Sequence, residues 1–300
     1  SNVYLRGFGD PTLMQSDLAA IAASYRARGI RHVTGGIVAD ASFFDNVRYN
    51  PTWSTGYRSE YYAAEVSGLT LAPDTDYDAG TVIVTYQPAA VRGQPARLSV
   101  IPAAAAAYVR LVNRTTTSGY GTAATFAATR GAGTNAITLT GQVPLGRALA
   151  RHWVTVSDPA LYAATVLRVE LLRAGIRVDG GVSRGGTPPR SVRLTQKWSM
   201  TLGQLLTPFL KLSNNSHAEA ITKTLGTRYG RPGNWADGLD QLRRYAAGFG
   251  VSMTGASLAD GSGLSRANRL TARQLIEDVP VERSLRPRRR SRATDGPTRH

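Results

Sequence analysis

The chain has 300 residues, of which 42% are hydrophobic and 19% are charged, so it is long enough for one large domain or two to three smaller ones. It contains no cysteine, which excludes disulfides, thiolate nucleophiles and cysteine-ligated metals. The formal net charge is +16, part of which belongs to the Arg-rich residues 280–300. The remaining basic residues are scattered and not interleaved with aromatic residues, so nucleic-acid binding is not favoured.

The N-terminal segment alternates strand and helix signals. Residues 3–5 predict a strand, and apolar residues with helical spacing predict a helix over 16–28 that ends before Gly29. Residues 30–39 then predict a buried strand that ends at Asp40.

The sequence changes in character over residues 82–156. Short β-like runs alternate there with Gly, Asn and Pro, and they cover 82–86, 97–101, 122–129, 136–139 and 153–156. This pattern predicts a small β-rich module set into the first segment.

Helical patterns follow this module. Asp158-Pro159 predicts the start of a helix that runs to Arg173. From Met200 the leucines fall on one helical face, and Pro208 inside this run predicts a kink or a broken helix.

The next helix is predicted over 216–225, where Glu219 and Lys223 have the i, i+4 spacing of an ion pair. Further helices are predicted around 235–242 and after a capping box of Thr271 and Gln274.

The sequence predicts neither a membrane-spanning segment nor a signal peptide. No apolar run approaches the roughly 20 residues that span a bilayer, and the chain opens on a predicted strand instead of a signal peptide. Residues 280–300 are rich in Arg and Pro without periodicity, which predicts a basic disordered tail and not a binding arm.

Ser213-Asn214-Asn215 lies between two apolar-periodic segments. A hydroxyl and a carboxamide two residues apart at a helix junction can point into one cleft, the first to relay a proton and the second to hold a substrate amide. The pattern Ser-x-Asn matches one of the three motifs of penicillin-binding proteins and class A β-lactamases. Since Ser and Asn are also favoured helix caps, a capping role is the alternative.

Three stretches together resemble the low-molecular-mass penicillin-binding proteins of class C, the D-alanyl-D-alanine carboxypeptidase and endopeptidase family. The first surrounds the Ser-x-Asn motif over residues 210–220. The second, over 258–268, contains Asp260-Gly261-Ser262-Gly263-Leu264-Ser265, and the third, over 4–13, contains Gly9-Asp10-Pro11-Thr12-Leu13. They occur in the order that the family has.

The resemblance implies an α/β (α+β) fold, in which a serine penicillin-recognising domain is interrupted by large inserted domains, one of them β-rich. We therefore expect residues 1–81 and 157–190 to form an inserted α/β domain and 82–156 a nested β-rich insert. Residues 191–279 would be the helical part of the catalytic domain. We also expect the chain to be truncated at both ends, because the family's nucleophile segment would precede residue 1.

The resemblance also implies the chemistry. In the family a serine attacks the penultimate D-alanine carbonyl and an acyl-enzyme is hydrolysed. By matching positions, Ser213 would pass a proton toward the leaving amine and Asn215 would anchor the substrate backbone. The sequence contains no Ser-x-x-Lys, and residues 223–226 resemble Lys-Thr-Gly only superficially because Leu225 intervenes. The chain by itself is therefore expected to be inactive.

Two further residues are candidates. Asp40 resembles a family aspartate that reaches from the insert toward the active-site mouth, where a carboxylate would attract the ammonium of a diamino acid in the stem peptide. An ordinary turn at the end of a strand is the alternative for Asp40. His217, two residues past Asn215, is either part of the same site or an exposed first-turn residue.

The sequence thus predicts a serine-type D-Ala-D-Ala carboxypeptidase or endopeptidase that acts on peptidoglycan stem peptides and binds β-lactams in its full-length form. We expect an extracytoplasmic location, no cofactor, no metal and no nucleic acid. Two competing interpretations are a non-catalytic cell-wall-binding protein on the same scaffold and, less favoured, a basic nucleic-acid-binding protein. The oligomeric state is not predicted.

Overall fold

The computed structural model describes residues 1–276, which form a mixed α/β structure with five longer helices. These helices are α1 (Gln15–Ala27), α2 (Pro159–Arg173), α3 (Leu202–Leu212), α4 (Asn215–Gly226) and α5 (Trp235–Gly248). A further helical turn covers 272–276.

Most of the strands lie between α1 and α3. They are β1 (Val3–Arg6), β2 (His32–Val33), β3 (Ile37–Asp40), β4 (Thr81–Gln87), β5 (Arg97–Ile101), β6 (Arg110–Ser118), β7 (Ala127–Arg130), β8 (Ala136–Pro144), β9 (Ala150–Thr155), β10 (Arg177–Val178) and β11 (Val182–Arg184).

A small parallel sheet organises the N-terminal segment. Its strand order is β1-β3-β11, and β2 and β10 form a second parallel pair. Parallel neighbours need long crossover connections, which α1 and α2 supply. Leu18 of α1, Leu167 of α2 and Ile37 of β3 are fully buried in one core between the helices and the sheet.

Residues 81–155 hold two more sheets. The first has the order β5-β4-β9 and is antiparallel, and the second has the order β6-β8-β7. In the second sheet β6 and β8 run parallel over nine residue pairs. Val82, Val84 and Leu139 belong to the same buried cluster as the core around α1 and α2. The division into inserted domains stays a prediction.

Helices α4 and α5 pack on the segment that follows β3. Phe44 and Trp53 of that segment form a buried cluster with Ala220 of α4 and with Trp235 and Leu239 of α5. Helix α3 differs, because its Leu205 is buried whereas most of its leucines are exposed; the exposed ones are Leu202, Leu206, Leu210 and Leu212.

The helix predictions agree with the structure at both ends of α2. Asp158 caps this helix, Pro159 begins it and Arg173 ends it. The capping box of Thr271 and Gln274 is also present. Of the two alternatives predicted at Pro208, a kink or a broken helix, the break is wrong, because α3 continues through Pro208 to Leu212. The kink stays a prediction. Of the β-like run at 122–129, strand structure begins at Ala127.

The tail at 280–300 and the last residues of the segment 191–279 lie outside the described residues. Within residues 1–276, none of the helices combines the length and the apolar character that crossing a membrane requires.

Candidate functional site

The Ser-x-Asn turn joins α3 to α4. Ser213 is exposed and adopts a left-handed backbone conformation, with φ 51° and ψ 44°, at the C-terminal end of α3. Glycine is usual at such a position, because a side chain there is crowded by its own backbone. The Phe209 carbonyl accepts hydrogen bonds from the Ser213 and Asn214 amides, which closes α3. Within residues 1–276 the Ser213 hydroxyl makes no hydrogen bond.

Asn215 is the first residue of α4 and is half-buried. Its Nδ2 donates to the Tyr62 carbonyl at 2.9 Å. The Tyr62 ring packs against Tyr57 and Tyr61 with centroids 5.6 and 5.5 Å away, so an aromatic cluster lies beside this amide. That Ser213 and Asn215 point into one cleft stays a prediction.

The capping role belongs to Asn214, the middle residue of the motif. Its Oδ1 accepts from the His217 amide at 3.2 Å, which satisfies one of the free donors at the start of α4. Capping therefore does not occupy the side chains of Ser213 and Asn215, which are the two residues assigned to chemistry.

Glu219 connects the motif helix to the second stretch of the resemblance. Its fully buried carboxylate accepts from the amides of Gly261 at 3.1 Å and Ser262 at 2.9 Å, and from the Trp235 indole at 2.6 Å. Burial raises the pKa of Glu219 even though these donors favour its charged form. Gly261 is required here, because a Cβ at that position would collide with Thr222.

Asp260 gives the same loop its internal shape. Its carboxylate accepts from the amides of Gly263 at 3.0 Å and Ser265 at 2.6 Å, and from the Trp53 indole at 2.8 Å. Trp53 follows β3 in the chain, so Asp260 ties the loop to the N-terminal half of the molecule.

The third stretch also reaches α4. A Cβ at Gly9, where φ is +81°, would lie 2.8 Å from Cζ of Phe44 and 3.3 Å from Oγ1 of Thr224 on α4. Asp10 accepts from the Thr12 amide at 2.8 Å and from Lys197 Nζ at 2.9 Å. All three stretches that carry the resemblance therefore meet at α4.

Lys223 is held inside the fold by an ion pair and a hydrogen bond. Its side chain is fully buried, and Nζ donates to Asp45 Oδ1 at 2.6 Å and to the Val47 carbonyl at 2.7 Å. The predicted ion pair between Glu219 and Lys223 is wrong, because Glu219 turns to Trp235 and Lys223 to Asp45. The helix predicted over 216–225 is confirmed, because α4 covers Asn215–Gly226.

Asp40 ends β3 at the carboxyl edge of the parallel sheet, and it is 1% exposed. Its oxygens accept from the amides of Ser42 at 3.0 Å and Thr187 at 2.8 Å, and Arg6 Nε lies 3.7 Å away. Burial acts to raise the pKa of Asp40, but the hydrogen bonds from Ser42 and Thr187 outweigh it and lower that pKa. Asp40 is thus an ionised carboxylate held by two loops.

Two titratable groups lie against the first turn of α4. His217 is fully buried between the rings of Tyr77 and Phe209, so the alternative that it is an exposed first-turn residue is wrong. Burial lowers the pKa of His217 to about 4. Asp78 accepts from Asn214 Nδ2 at 3.1 Å. Burial, together with the charges of Asp74 and Asp76, raises the pKa of Asp78 to about 7.

Comparison with protein families gives one model that matches residues 1–280, the D-Ala-D-Ala carboxypeptidase 3 (S13) family. The chain belongs to this family. The resemblance that rests on the three stretches around α4 is thereby confirmed, and it extends through the segments between them.

Two named relatives of this S13 chain are carboxypeptidases. It is 38% identical over 279 residues to the D-alanyl-D-alanine carboxypeptidase of Actinomadura sp., covering 92% of this chain and 51% of that protein. It is 24% identical over 291 residues to the D-alanyl-D-alanine carboxypeptidase DacB of Haemophilus influenzae, covering 92% of this chain and 56% of that protein. The chain thus spans about half the length of these relatives.

Solved structures show that the S13 chain has the fold of a penicillin-binding protein. Penicillin binding protein 4 of Haemophilus influenzae superposes with a TM-score of 0.78 at 20% identity, covering 94% of this chain and 62% of that one. A second structure of that protein, complexed with a β-lactam, gives a TM-score of 0.72 at 19% identity, covering 95% and 60%. The predicted α/β fold class is confirmed.

The sequence did not reveal which segments support the motif in this S13 chain. The acceptor for Asn215 comes from Tyr62, and the acceptors for Asn214 come from residues 76–78. The alternation of aspartates at Asp74, Asp76 and Asp78 signals a turn, but nothing in it indicates that the turn packs on a helix far along the chain.

Proposed function

We propose that this chain supplies the proton relay and the substrate-amide anchor of a serine-type D-Ala-D-Ala carboxypeptidase. The observation that carries the proposal is the Ser-x-Asn turn at the start of α4, within a chain that matches the S13 family over residues 1–280. The substrates would be peptidoglycan stem peptides, and β-lactams would acylate the same site. Such a substrate places the full-length protein outside the cytoplasmic membrane.

Ser213 would pass a proton toward the leaving amine, because its hydroxyl is exposed and free of other partners in the described part of the chain. Asn215 would hold the substrate backbone through its amide, whose Nδ2 is already oriented by the Tyr62 carbonyl. The sequence has no Ser-x-x-Lys, so the acylated serine in this proposal belongs to polypeptide beyond these 300 residues. Endopeptidase action on crosslinked stem peptides is a second activity of the same site.

Asp40 is included in the proposal through its negative charge, which would attract a substrate ammonium. Because its side chain is 1% exposed, this attraction acts at a distance and not through direct contact. Its lowered pKa keeps it ionised, and it lies at the carboxyl edge of a parallel sheet, where ligands of α/β folds commonly bind. In a full-length version, Asp40→Ala should weaken turnover of diamino-acid stem peptides and leave penicillin acylation nearly intact, since penicillin has no matching ammonium. Equal loss on both substrates would assign Asp40 to the Ser42 and Thr187 hydrogen bonds alone.

A chimera tests the proposed roles. Residues aligned over the 279-residue match would replace the corresponding segment of the Actinomadura carboxypeptidase, whose remaining sequence stays in place. We expect Ser213→Ala to lower kcat/KM for a D-Ala-D-Ala peptide about 100-fold or more, the usual effect of losing a proton-transfer group.

The matched control is Ser216→Ala, in the same turn, whose hydroxyl donates to the Ala79 carbonyl at 3.3 Å. It should retain activity within a few fold. A chimera that folds and binds peptidoglycan but has no carboxypeptidase activity would favour the wall-binding alternative. Activity that is unaffected by Ser213→Ala and Asn215→Ala would contradict the proposed roles of these two residues.

A further inference from the structure

Asn214, the variable middle residue of the motif, has more hydrogen-bond partners than the two residues beside it. Its side chain is buried, and its Nδ2 faces three acceptors: the carbonyls of Asp76 at 3.0 Å and Tyr77 at 3.1 Å, and Asp78 Oδ1 at 3.1 Å. Its Oδ1 caps α4, as described above. A helix cap needs the oxygen alone, so the amide donors have a separate role.

The loop that provides these acceptors is itself ordered by hydrogen bonds. Asp74 accepts from the Asp76 amide through Oδ1 at 3.1 Å and from the Tyr77 amide through its carbonyl at 3.1 Å. Tyr77 is in the left-handed region with φ 56°, and its carbonyl also accepts from the Ala79 amide at 2.8 Å. Residues 74–79 therefore form a preformed acceptor loop against the first turn of α4.

Ser213 directly precedes this anchored residue. The backbone of Ser213 is in the left-handed region, which residues other than glycine and asparagine seldom adopt. Such a conformation persists when the surrounding structure fixes it. The Asn214 amide donates back to the Phe209 carbonyl at 3.1 Å while its side chain is held by the acceptor loop. Both sides of Ser213 are thus fixed, by α3 before it and by Asn214 after it.

We propose that Asn214 is a positioning residue, which keeps Ser213 in its left-handed conformation by anchoring the next residue to the acceptor loop at 74–79. Whether this positioning of Ser213 affects catalysis rests on the proposed function, in which Ser213 relays a proton. The anchoring itself is a property of this chain and is measured without any enzymatic assay.

Asn214→Asp separates anchoring from capping. An aspartate keeps the capping oxygen and is as good a cap as asparagine, and its charge is favourable at a helix N-terminus. It loses the two amide donors, however, and places a carboxylate against the carbonyls of Asp76 and Tyr77 and against Asp78 Oδ1. If Asn214 were a cap alone, Asn214→Asp would leave Ser213 unchanged; if it anchors, this variant disturbs Ser213 at least as much as Asn214→Ala.

The experiment uses the full 300-residue chain labelled with ¹³C-serine, with the Ser213 signal assigned by its loss in Ser213→Ala. We expect Asn214→Ala and Asn214→Asp to move the Ser213 Cα and Cβ shifts out of the left-handed range. In Asn214→Ala, amide exchange at His217 should also become about fivefold faster, the effect of losing roughly one hydrogen-bonded cap, whereas Asn214→Asp keeps the cap and should leave this exchange nearly unchanged.

Asn234→Ala is the matched control, because Asn234 caps α5 by accepting from the Asp237 amide at 2.9 Å and lies outside the motif. It should leave the Ser213 signals unchanged. The double variant N214D/D78N should restore them in large part, since an amide at position 78 can donate to a carboxylate at position 214.

An unchanged Ser213 signal in N214D would overturn the proposal. If N214D does not fold, Asn214→Ser makes the same comparison, because serine keeps a capping oxygen and lacks the amide donors. A conformational effect on Ser213 without any effect of Ser213→Ala on the chimera would support the anchoring and reject the proposed function.

Discussion

Lys223 Nζ lies 2.6 Å from Asp45 Oδ1, and the same ammonium stands 4.1 Å from the centroid of the Trp235 ring. The lysine belongs to α4, the aspartate to the segment after β3, and the indole to α5. Burial lowers the pKa of Lys223, although Asp45 acts to raise it. One buried cation thus joins the helix that carries the Ser-x-Asn turn to two other parts of the fold.

Removing the carboxylate partner of Lys223 should destabilise the chain strongly. Asp45→Ala leaves the buried ammonium with the Val47 carbonyl and the Trp235 ring as its partners, and breaking such a pair typically costs about 3 kcal/mol or more. Urea unfolding would measure the loss. Asp240→Ala is the control, because Asp240 pairs with Arg244 on the surface of α5 and its removal should change little. Equal effects of both substitutions would contradict the role assigned to Lys223.

His217 should make stability depend on pH. Its pKa is lowered to about 4 in the folded chain, against an ordinary value near 6.5, so the unfolded state binds the proton more readily. The contribution is complete above about pH 6.5 and is lost as the pH falls toward 4. Between pH 7 and pH 5 the wild-type chain should lose about 2 kcal/mol relative to His217→Phe. If the difference in free energy of unfolding between the wild type and His217→Phe does not change with pH, His217 is not buried in its neutral form.

The titration of Asp78 should change stability with pH in the direction opposite to that of His217. Its pKa is raised from 3.8 to about 7, so the folded state binds the proton more readily, and this contribution is present below about pH 4 and lost as the pH rises through 7. We expect Asp78→Asn to be more stable than the wild type at pH 8 by about 1 to 2 kcal/mol, a value reduced for partial solvent exposure. At pH 4 the two should be nearly equal. A less stable variant at pH 8 would contradict the prediction.

The sequence predicted elements well where the signals are local. The start of α2 is encoded by Asp158 and Pro159 and its end by Gly175, so both ends could be located without tertiary information. Strand β6 was missed, because its polar sequence shows little alternation and its structure depends on parallel pairing with β8. Pro208 is tolerated within α3, which the local rule against proline does not anticipate.

The candidate site could likewise be predicted only where its signals are local or belong to the family resemblance. Ser213 and Asn215 could be proposed from their spacing and from the family resemblance. The role of Asn214 could not, because its acceptors at Asp76, Tyr77 and Asp78 lie more than a hundred positions earlier in the chain. Glu219 was likewise assigned to Lys223 by helix spacing, whereas its partners come from α5 and the loop at 260–265.

Intact-mass measurement after incubation with a labelled penicillin shows whether this chain supplies the proton relay but not the acylated serine. The 300-residue chain should show no adduct, because Ser213 lacks a lysine one helical turn away. The chimera with the Actinomadura carboxypeptidase should show one adduct per molecule, and Ser213→Ala in the chimera should slow its formation. A stoichiometric adduct on the chain alone, or a folded chimera that is never acylated, would show that the proposed function is wrong.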